Sequence, residues 1–318
     1  MNAFETYKAI KTSMEKTIAG KGEVLDLVII SLFCVGHVLI EDVPGTGKTM
    51  IARALAASID GECKRIQFTP DLLPSDITGI NYFNMKRSEF EFLKGPIFSH
   101  ILLADEINRA TPKTQAGLLE CMEERTATID GKTYALSEPF MVIATQNPLE
   151  SMGTYPLPEA QLDRFLVKTS VGYPDFAGGV EILRRFGEKR GVKNEKPVVS
   201  LADVTSAMEE TAKIFCHDDL LEYITGIVEM TRESAGVVLG ASPRAALSLL
   251  MVAKGFAVIH GRNYVLPDDI KKATVPVLSH RLILTNSEML KKDSARRILT
   301  EILSRVPVPT ETVFDGRK

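Results

Sequence analysis

A lysine and a threonine follow two closely spaced glycines in the first sixth of the chain. The run is Gly45-Thr46-Gly47-Lys48-Thr49, with an apolar stretch before it and a helical pattern after it. The glycines let the backbone turn so that several N–H groups converge, and the following helix adds the positive end of its dipole. A lysine here can pair with phosphate oxygens, and a threonine hydroxyl can ligate Mg²⁺. The run therefore predicts a phosphate-binding loop.

One position of this loop departs from the general pattern G-x-x-x-x-G-K-[ST]. Asp42 stands where that pattern has its first glycine. An ordinary glycine-rich turn is the alternative interpretation, but the flanking strand and helix favour phosphate binding. The residues predicted to contact the nucleotide in this loop are Asp42, Val43, Pro44, Gly45, Thr46, Gly47, Lys48, Thr49 and Met50.

Two adjacent carboxylates, Asp105 and Glu106, end the apolar run that starts at His100. Behind a phosphate loop, Asp105 is the expected partner of Thr49 in holding Mg²⁺, directly or through water. Glu106 is the candidate that orients and activates the attacking water. The alternative is a solvated acidic strand end without a catalytic role.

A polar amide, that of Asn147, follows a third apolar run, Phe140 to Thr145. There it could hold the attacking water against the terminal phosphate. The alternative is a plain turn residue, which the following Pro148 favours.

Two arginines could complete a phosphoryl-transfer site. Arg164 precedes the last predicted strand, and Arg244 opens a helix after Ser242-Pro243. A guanidinium can neutralise charge that builds on a transferring phosphoryl group. A lone arginine is usually a solvated surface residue, and spacing alone does not decide between the two interpretations.

Alternation of apolar strands with helical patterns predicts an α/β domain with a parallel sheet. The phosphate loop, the acidic pair and Asn147 each follow the carboxyl end of a strand, where ligands of such sheets bind. After Tyr173 no convincing strand follows, so we expect an α/β nucleotide-binding domain at 1–190 and a small all-helical domain at 191–318.

Local patterns refine the first domain. Two hairpins are predicted, at about 80–93 and 127–136, the second around Asp130-Gly131. Residues 69–79 are predicted as a loop, and 158–165 as a short helix. The first hairpin carries Phe90 and Phe92 on one face. These rings either contact a client protein or pack on their own domain.

Composition excludes several classes of protein. The chain has 318 residues, of which 45% are hydrophobic and 25% charged, with a formal net charge of −3. No basic N-terminal start with an apolar core is present, and the longest apolar run is far below the ~20 residues of a membrane helix. The four cysteines form no C-x-x-C pair, so a zinc site or disulfide framework is not expected. We expect a cytoplasmic protein with reduced thiols.

Six motifs together resemble the MoxR family of AAA+ ATPases, and the resemblance extends over about residues 5–310. They are Glu41-Asp42-Val43-Pro44-Gly45-Thr46-Gly47-Lys48-Thr49, Asp105-Glu106-Ile107-Asn108-Arg109-Ala110, Ala144-Thr145-Gln146-Asn147-Pro148, residues 155–165, and Ser242-Pro243-Arg244-Ala245 with 277–281. Asp42 is also what this family shows at that position.

The resemblance implies a role for each candidate residue. The implied roles are Walker A for Lys48 and Thr49, Walker B for Asp105 and Glu106, sensor 1 for Asn147, arginine finger for Arg164, sensor 2 for Arg244, and adenine contact for Ile18, Ala19 and Gly20. It further implies ATP as the nucleotide, a helical lid, a helix-2 insert for the first hairpin and a pre-sensor-1 hairpin for the second. Arg109 would lie at a subunit interface or form a plain surface ion pair.

Members of this family are similar in acting as chaperone-like ATPases. The resemblance implies a homo-oligomeric ring, with a hexamer as the preferred stoichiometry. It also implies client proteins, which often carry von Willebrand A domains. Two alternatives remain. A nucleic-acid-stimulated ring motor is disfavoured because the insert hairpin offers Lys86, Arg87 and Lys94 against Glu89 and Glu91. A nucleotide-gated scaffold with little turnover is disfavoured by the presence of Glu106 and Asn147.

Overall fold

Two units make up the chain, Met1–Met208 and Glu209–Lys318. The division falls inside a helix, whereas the predicted boundary between residues 190 and 191 lies outside the described residues. The computed structural model describes residues 1–43, 45–148, 153–174, 176–187 and 196–309.

The first unit alternates helices with strands, as the sequence predicts. Its helices are α1 (Ala3–Thr17), α2 (Gly22–Phe33), α3 (Lys48–Ser58), α4 (Pro74–Thr78), α5 (Pro112–Glu124), α6 (Glu159–Leu162), α7 (Phe176–Gly187) and the beginning of α8 (Leu201–Ala212). Its strands are β1 (Val38–Glu41), β2 (Cys63–Gln67), β3 (Gly79–Asn84), β4 (Glu89–Lys94), β5 (Ile101–Asp105), β6 (Thr126–Ile129), β7 (Lys132–Ala135), β8 (Met141–Gln146) and β9 (Val167–Thr169).

Five of these strands form one parallel sheet in the order β2-β5-β8-β1-β9. Leu39, Leu102 and Val142 pack in a cluster with Leu118 and Leu119 of α5. Residues that alternate with them along each strand point to the opposite face and are also buried, so both faces are covered. The order brings the carboxyl ends of β5, β8 and β1 side by side. The predicted α/β class is confirmed.

Both hairpins form where the sequence predicts them. Asp130 and Gly131 link β6 to β7 with φ of 48° and 78°, the left-handed pair that a two-residue hairpin turn requires. The two hairpins contact each other, because Asn81 donates to Asp130 Oδ2 at 2.8 Å and the Phe92 ring stacks on Tyr134 at 4.4 Å.

Two local predictions for the first unit are wrong. Part of the predicted loop at 69–79 is helix α4, which Pro74 begins and which Asp76 caps by accepting the Leu73 N–H at 2.9 Å. Five residues are too few to show helical periodicity. The predicted helix at 158–165 ends at Leu162, since Arg164 N–H turns to the Gln161 carbonyl in a tighter i to i−3 bond.

The second unit is mainly helical, and it also contains a short antiparallel pair of strands that the sequence analysis does not predict. Two- and three-residue strands are too short for period-two alternation to be visible. After the end of α8, the elements are α9 (Asp218–Glu233), β10 (Val237–Leu239), α10 (Pro243–Ile259), α11 (Pro267–Leu278), β11 (Ile283–Leu284), α12 (Asn286–Met289) and α13 (Ser294–Arg305).

No helix within the described ranges is both long and apolar enough to cross a bilayer. All four cysteines are free thiols, and Cys34 and Cys121 are buried. Burial raises the pKa of Cys121 to about 11. This thiol is therefore protonated and unreactive at neutral pH.

Candidate functional site

The phosphate loop leaves β1 and ends at the first turn of α3. Gly45 and Gly47 have φ of 87° and 91°, and an added Cβ would meet no atom within 4 Å at either position. Glycine is thus required by the backbone conformation, and the space above the loop is open. The Lys48 ammonium, on a buried side chain, donates to the Asp42 carbonyl at 3.0 Å. Pro44 lies outside the described residues.

Asp42 has a structural task in this loop. Its Oδ1 accepts the N–H of Val43 at 2.8 Å, and its Oδ2 accepts the N–H of Gly172 at 2.6 Å. The side chain is 7% exposed. A carboxylate that accepts two backbone N–H groups fixes the beginning of the loop against the turn after β9.

The acidic pair ends β5 beside β8. The Thr145 hydroxyl donates to Asp105 Oδ1 at 2.6 Å and accepts the N–H of Glu106 at 2.8 Å. Glu106 has a left-handed backbone, with φ 58° and ψ 50°. This conformation costs a non-glycine residue ~1 kcal/mol, and the bond to Thr145 helps to hold it.

Three further side chains, which the sequence analysis did not assign to the acidic pair, bind its free oxygens. Arg65 donates from Nε and Nη2 to Asp105 Oδ2 at 3.1 and 2.7 Å. Gln67 donates to Glu106 Oε2 at 2.7 Å, and Arg109 reaches the same oxygen at 3.2 Å. Arg109 thus forms an ion pair within its own chain. The sequence shows Arg65 and Gln67 on the same face of a predicted strand. It does not show that this strand pairs with the one that ends in Asp105.

Asn147 follows β8, which lies between β5 and β1 in the sheet. Its side chain is 5% exposed. The strand order therefore places this amide between the strand that leads to Lys48 and the strand that ends in Asp105.

The predicted adenine contacts, Ile18 to Gly20, connect α1 to α2 and are half-buried to exposed. The next residue, Lys21, donates to the Tyr173 carbonyl at 2.8 Å. Tyr173 adjoins Gly172, whose N–H binds Asp42 of the phosphate loop. The segment is thus connected to the loop through the turn after β9.

Arg164 lies away from this site. Its guanidinium donates to the Leu119 carbonyl at 2.7 Å and pairs with Glu123 at 3.0 Å, both on α5. Arg164 precedes β9, whose Val167 pairs with Val38 at the start of β1, while the phosphate loop follows the end of β1. A four-residue strand spans about 13 Å, so Arg164 lies at the amino ends of these strands and Lys48 at their carboxyl ends.

Arg244 is an exposed residue in the first turn of α10, in the second unit. Ser242 caps this helix by accepting the Ala245 N–H at 3.2 Å, and Pro243 occupies its first position. The cap holds Arg244 at the positive end of an α-helix, where its charge and the free N–H groups of the first turn favour an anion.

The donor set suits Mg²⁺, a hard cation that takes oxygen ligands and retains water and phosphate ligands. The chain's candidates are the Thr49 hydroxyl and Asp105. Among the described residues, no group of three or more His, Cys, Asp or Glu side chains could hold a metal ion. Phosphate oxygens and water would therefore have to supply the other ligands.

Comparisons with known proteins agree with this geometry. Residues 37–167 match the model of the ATPase family associated with various cellular activities (AAA), and residues 229–302 match the AAA lid domain. The crystal structure of a candidate ATPase from Cytophaga hutchinsonii superposes with a TM-score of 0.90 at 40% identity, and covers 97% of this chain and 96% of that chain.

Relatives of nearly full length carry the comparison further. The protein YeaC of Bacillus subtilis is 47% identical over 94% of this chain and 93% of its own length. The chaperone MoxR1 of Mycobacterium tuberculosis is 40% identical over 93% of this chain and 80% of its own. The resemblance drawn from the motifs is thereby confirmed, and the chain belongs to the MoxR family of AAA ATPases.

Proposed function

We propose that this chain binds ATP and hydrolyses it in a Mg²⁺-dependent reaction. The reaction would take place where the carboxyl ends of β1, β5 and β8 lie side by side. The observation that carries the proposal is that Lys48, the Asp105–Glu106 pair and Asn147 follow three neighbouring strands. The loop runs from Asp42 to Met50, and its backbone N–H groups, together with Lys48, would bind the phosphates.

Each residue has a task in the reaction. Glu106 would take a proton from the attacking water, and Asn147 would hold that water in line with the terminal phosphate. Lys48 would neutralise charge on the outer phosphate oxygens, which requires its ammonium to turn from the Asp42 carbonyl. When bound by Thr49 and Asp105, Mg²⁺ would supply further charge neutralisation. Most of the catalysis is thus positioning and electrostatics.

Among the described residues at these strand ends, Arg65 and Arg109 pair with Asp105 and Glu106, so a further cation would have to serve the outer face of the transferring phosphoryl group. Arg164 cannot supply this cation within its own chain, because Arg164 lies at the amino ends of the strands and pairs with Glu123. We infer a homo-oligomeric ring, with a hexamer as the preferred stoichiometry. In this ring Arg164 serves the nucleotide of the next subunit. This assignment requires Arg164 to leave Glu123 or to share it.

The second unit supplies the lid. In this proposal Arg244, at the capped start of α10, contacts the nucleotide, and hydrolysis moves the lid and the two hairpins against a client protein. The Mycobacterium tuberculosis relative carries the name chaperone. That name supports maturation or remodelling of partner proteins. The family resemblance suggests von Willebrand A domain proteins among these partners, and we propose that the reaction takes place in the cytoplasm.

Electrostatics of the insert hairpin disfavour nucleic acid as the partner. Arg87 pairs with Glu91 at 2.9 Å, and Lys94 lies 5.5 Å from the centroid of the Phe98 ring. The charge of Arg87 is offset by Glu91, and Glu89 adds a second negative charge, so the hairpin has a small net electrostatic footprint for a phosphate backbone. Stimulation of turnover by nucleic acid that disappears as salt rises would reverse this assignment.

A comparison of Lys48→Ala with Glu106→Gln tests the proposal. Lys48→Ala should lose binding of a fluorescent ATP analogue, because the phosphates lose their buried cation. Glu106→Gln should bind normally but release phosphate 10²–10⁴-fold more slowly, roughly the effect of one acid–base group. Glu120→Gln, which removes an exposed charge from α5, is the control and should behave like the wild-type protein. Equal loss of binding in Lys48→Ala and Glu106→Gln would overturn the role given to Glu106.

A further inference from the structure

A cation of the chain itself already binds the carboxylate that we assign to Mg²⁺. Asp105 uses Oδ1 to accept the Thr145 hydroxyl at 2.6 Å, and Oδ2 to accept two N–H groups of Arg65 at 2.7 and 3.1 Å. Oδ2 thus accepts two hydrogen bonds and Oδ1 one, so a metal ion that ligates Asp105 either replaces Arg65 on Oδ2 or binds Oδ1 beside its charge. The guanidinium and a metal ion would carry like charges to the same carboxylate, so their binding is mutually unfavourable.

Arg65 is also joined to the second carboxylate. Its Nη2 donates to Oε1 of Gln67 at 2.6 Å, and Nε2 of the same amide donates to Glu106 Oε2 at 2.7 Å. Arg65 and Gln67 are two apart on β2 and so share one face of the strand. The Gln67 amide therefore bridges the cation on Asp105 and the candidate base, and its orientation depends on both.

We propose that Arg65 is a competing cation at Asp105, and that a divalent metal ion binds this carboxylate only when the guanidinium moves away from it. This inference rests on the proposed function of the site.

The location of Arg65 allows such a movement. β2 is one of the two edge strands of the sheet, and the Arg65 side chain is 46% exposed. A half-exposed arginine can swing into water at small cost, because water replaces its hydrogen bonds. Lys64, its neighbour on the same strand, points to the other face and pairs with Glu62 at 3.2 Å. This neighbour is a matched control of equal charge.

The test measures binding rather than turnover. A fluorescent, non-hydrolysable ATP analogue is held below saturation, and Mg²⁺ is titrated into wild-type protein and into Arg65→Met, which keeps an unbranched apolar stem but removes the charge. The Mg²⁺ concentration at half-saturation should fall roughly two- to fivefold in Arg65→Met, as expected when a half-exposed ion pair stops competing. Arg65→Lys should stay closer to the wild-type value because it keeps the charge.

Lys64→Met should leave the half-saturating Mg²⁺ concentration unchanged. An equal shift in Lys64→Met would show a general effect of net charge and would overturn the competition. An unchanged or higher value in Arg65→Met would also overturn it. Absence of Mg²⁺-dependent analogue binding in the wild-type protein would instead contradict the proposed function itself, so the two failures are distinguishable.

Discussion

The carboxylate of Asp42 accepts a hydrogen bond from the backbone N–H of Gly172 at 2.6 Å. This bond joins the first residue of the phosphate loop to the turn after the last strand of the sheet, 130 positions away. The backbone carbonyl of Asp42 also accepts the Lys48 ammonium. One residue therefore holds the loop to the domain and positions its lysine.

We expect Asp42→Ala to weaken both the domain and its nucleotide site. The variant leaves the N–H groups of Val43 and Gly172 without their charged acceptor, which should lower the free energy of unfolding by about 1.5–3 kcal/mol. A looser loop should also raise the Kd for the ATP analogue. Urea unfolding and analogue binding measure the two effects.

Glu41→Ala is the matched control for Asp42→Ala. It removes the adjacent carboxylate, which pairs with Lys168 at 2.6 Å near the surface. Such a pair contributes about 0–1 kcal/mol, so both measurements should change little. Equal effects of the two substitutions would contradict the anchoring role of Asp42.

Arg164→Ala should bind ATP and yet be nearly inactive if it serves a neighbouring subunit. Arginine fingers supplied in trans contribute ~10³–10⁵ in rate in well-studied phosphoryl-transfer systems. Wild-type activity per subunit should therefore rise with protein concentration as rings assemble. Steady-state phosphate release over a concentration series measures this dependence.

Mixing two inactive variants gives a sharper measurement of the same role. Arg164→Ala subunits keep Glu106, and Glu106→Gln subunits keep Arg164, so a mixed ring contains some complete sites and should recover part of the activity. Glu123→Gln, which removes the partner of Arg164 within its own chain, should not abolish activity. Normal hydrolysis by Arg164→Ala, with activity per subunit that is flat with concentration, would leave Arg164 a surface residue.

Phe90 and Phe92 should respond differently to substitution by serine, although they share one face of the insert hairpin. Phe92 packs on Phe98 and stacks on Tyr134, whereas Phe90 is 74% exposed and contacts only the Phe83 ring among the aromatic neighbours that the structure describes. Phe92→Ser should lower the melting temperature, since a half-buried ring loses roughly 1–3 kcal/mol of packing.

Phe90→Ser should instead leave the melting temperature and the basal ATPase rate unchanged and weaken client capture. The measurement is a pulldown from native extract with Glu106→Gln as a trap, with and without Phe90→Ser, read by mass spectrometry. A large fall in melting temperature for Phe90→Ser would show that this ring is structural. Unchanged capture would remove it from the client surface.

His37 should make the stability of the first unit depend on pH. Its Nε2 donates to the Met122 carbonyl at 3.1 Å and its Nδ1 accepts the Val142 N–H at 2.9 Å, so the ring is neutral. Burial lowers the pKa of His37 from 6.5 to about 4. Between these values the unfolded chain binds a proton that the folded chain does not.

The stabilisation from His37 is thus complete above pH 6.5 and decreases as the pH falls toward 4, by roughly 3 kcal/mol in total. Urea unfolding at pH 7.5 and pH 5 should show this loss in the wild-type protein and a smaller loss in His37→Gln, which cannot titrate. His217→Gln, at an exposed helix cap, should keep the wild-type dependence. An identical pH dependence in His37→Gln would refute the assignment.

The sequence by itself determined the parts of the site that are contiguous in the chain. Gly45, Gly47, Lys48 and Thr49 form a loop whose backbone conformation only glycine permits, so the pattern predicts the structure directly. The hairpin turn at Asp130-Gly131 was predictable for the same reason. The α/β class also followed, since buried parallel strands leave apolar runs between helical periods.

Only the tertiary structure decided which distant residues meet. Strand order β2-β5-β8-β1-β9 is set by pairing across many intervening residues, and local periodicity carries no information about it. That order placed Arg65 and Gln67 beside Asp105 and Glu106, brought Gly172 to Asp42, and set Arg164 one strand length away from Lys48. In the sequence, Arg65 and Gln67 are only alternating polar residues of a strand. They bind the acidic pair because that strand pairs with β5.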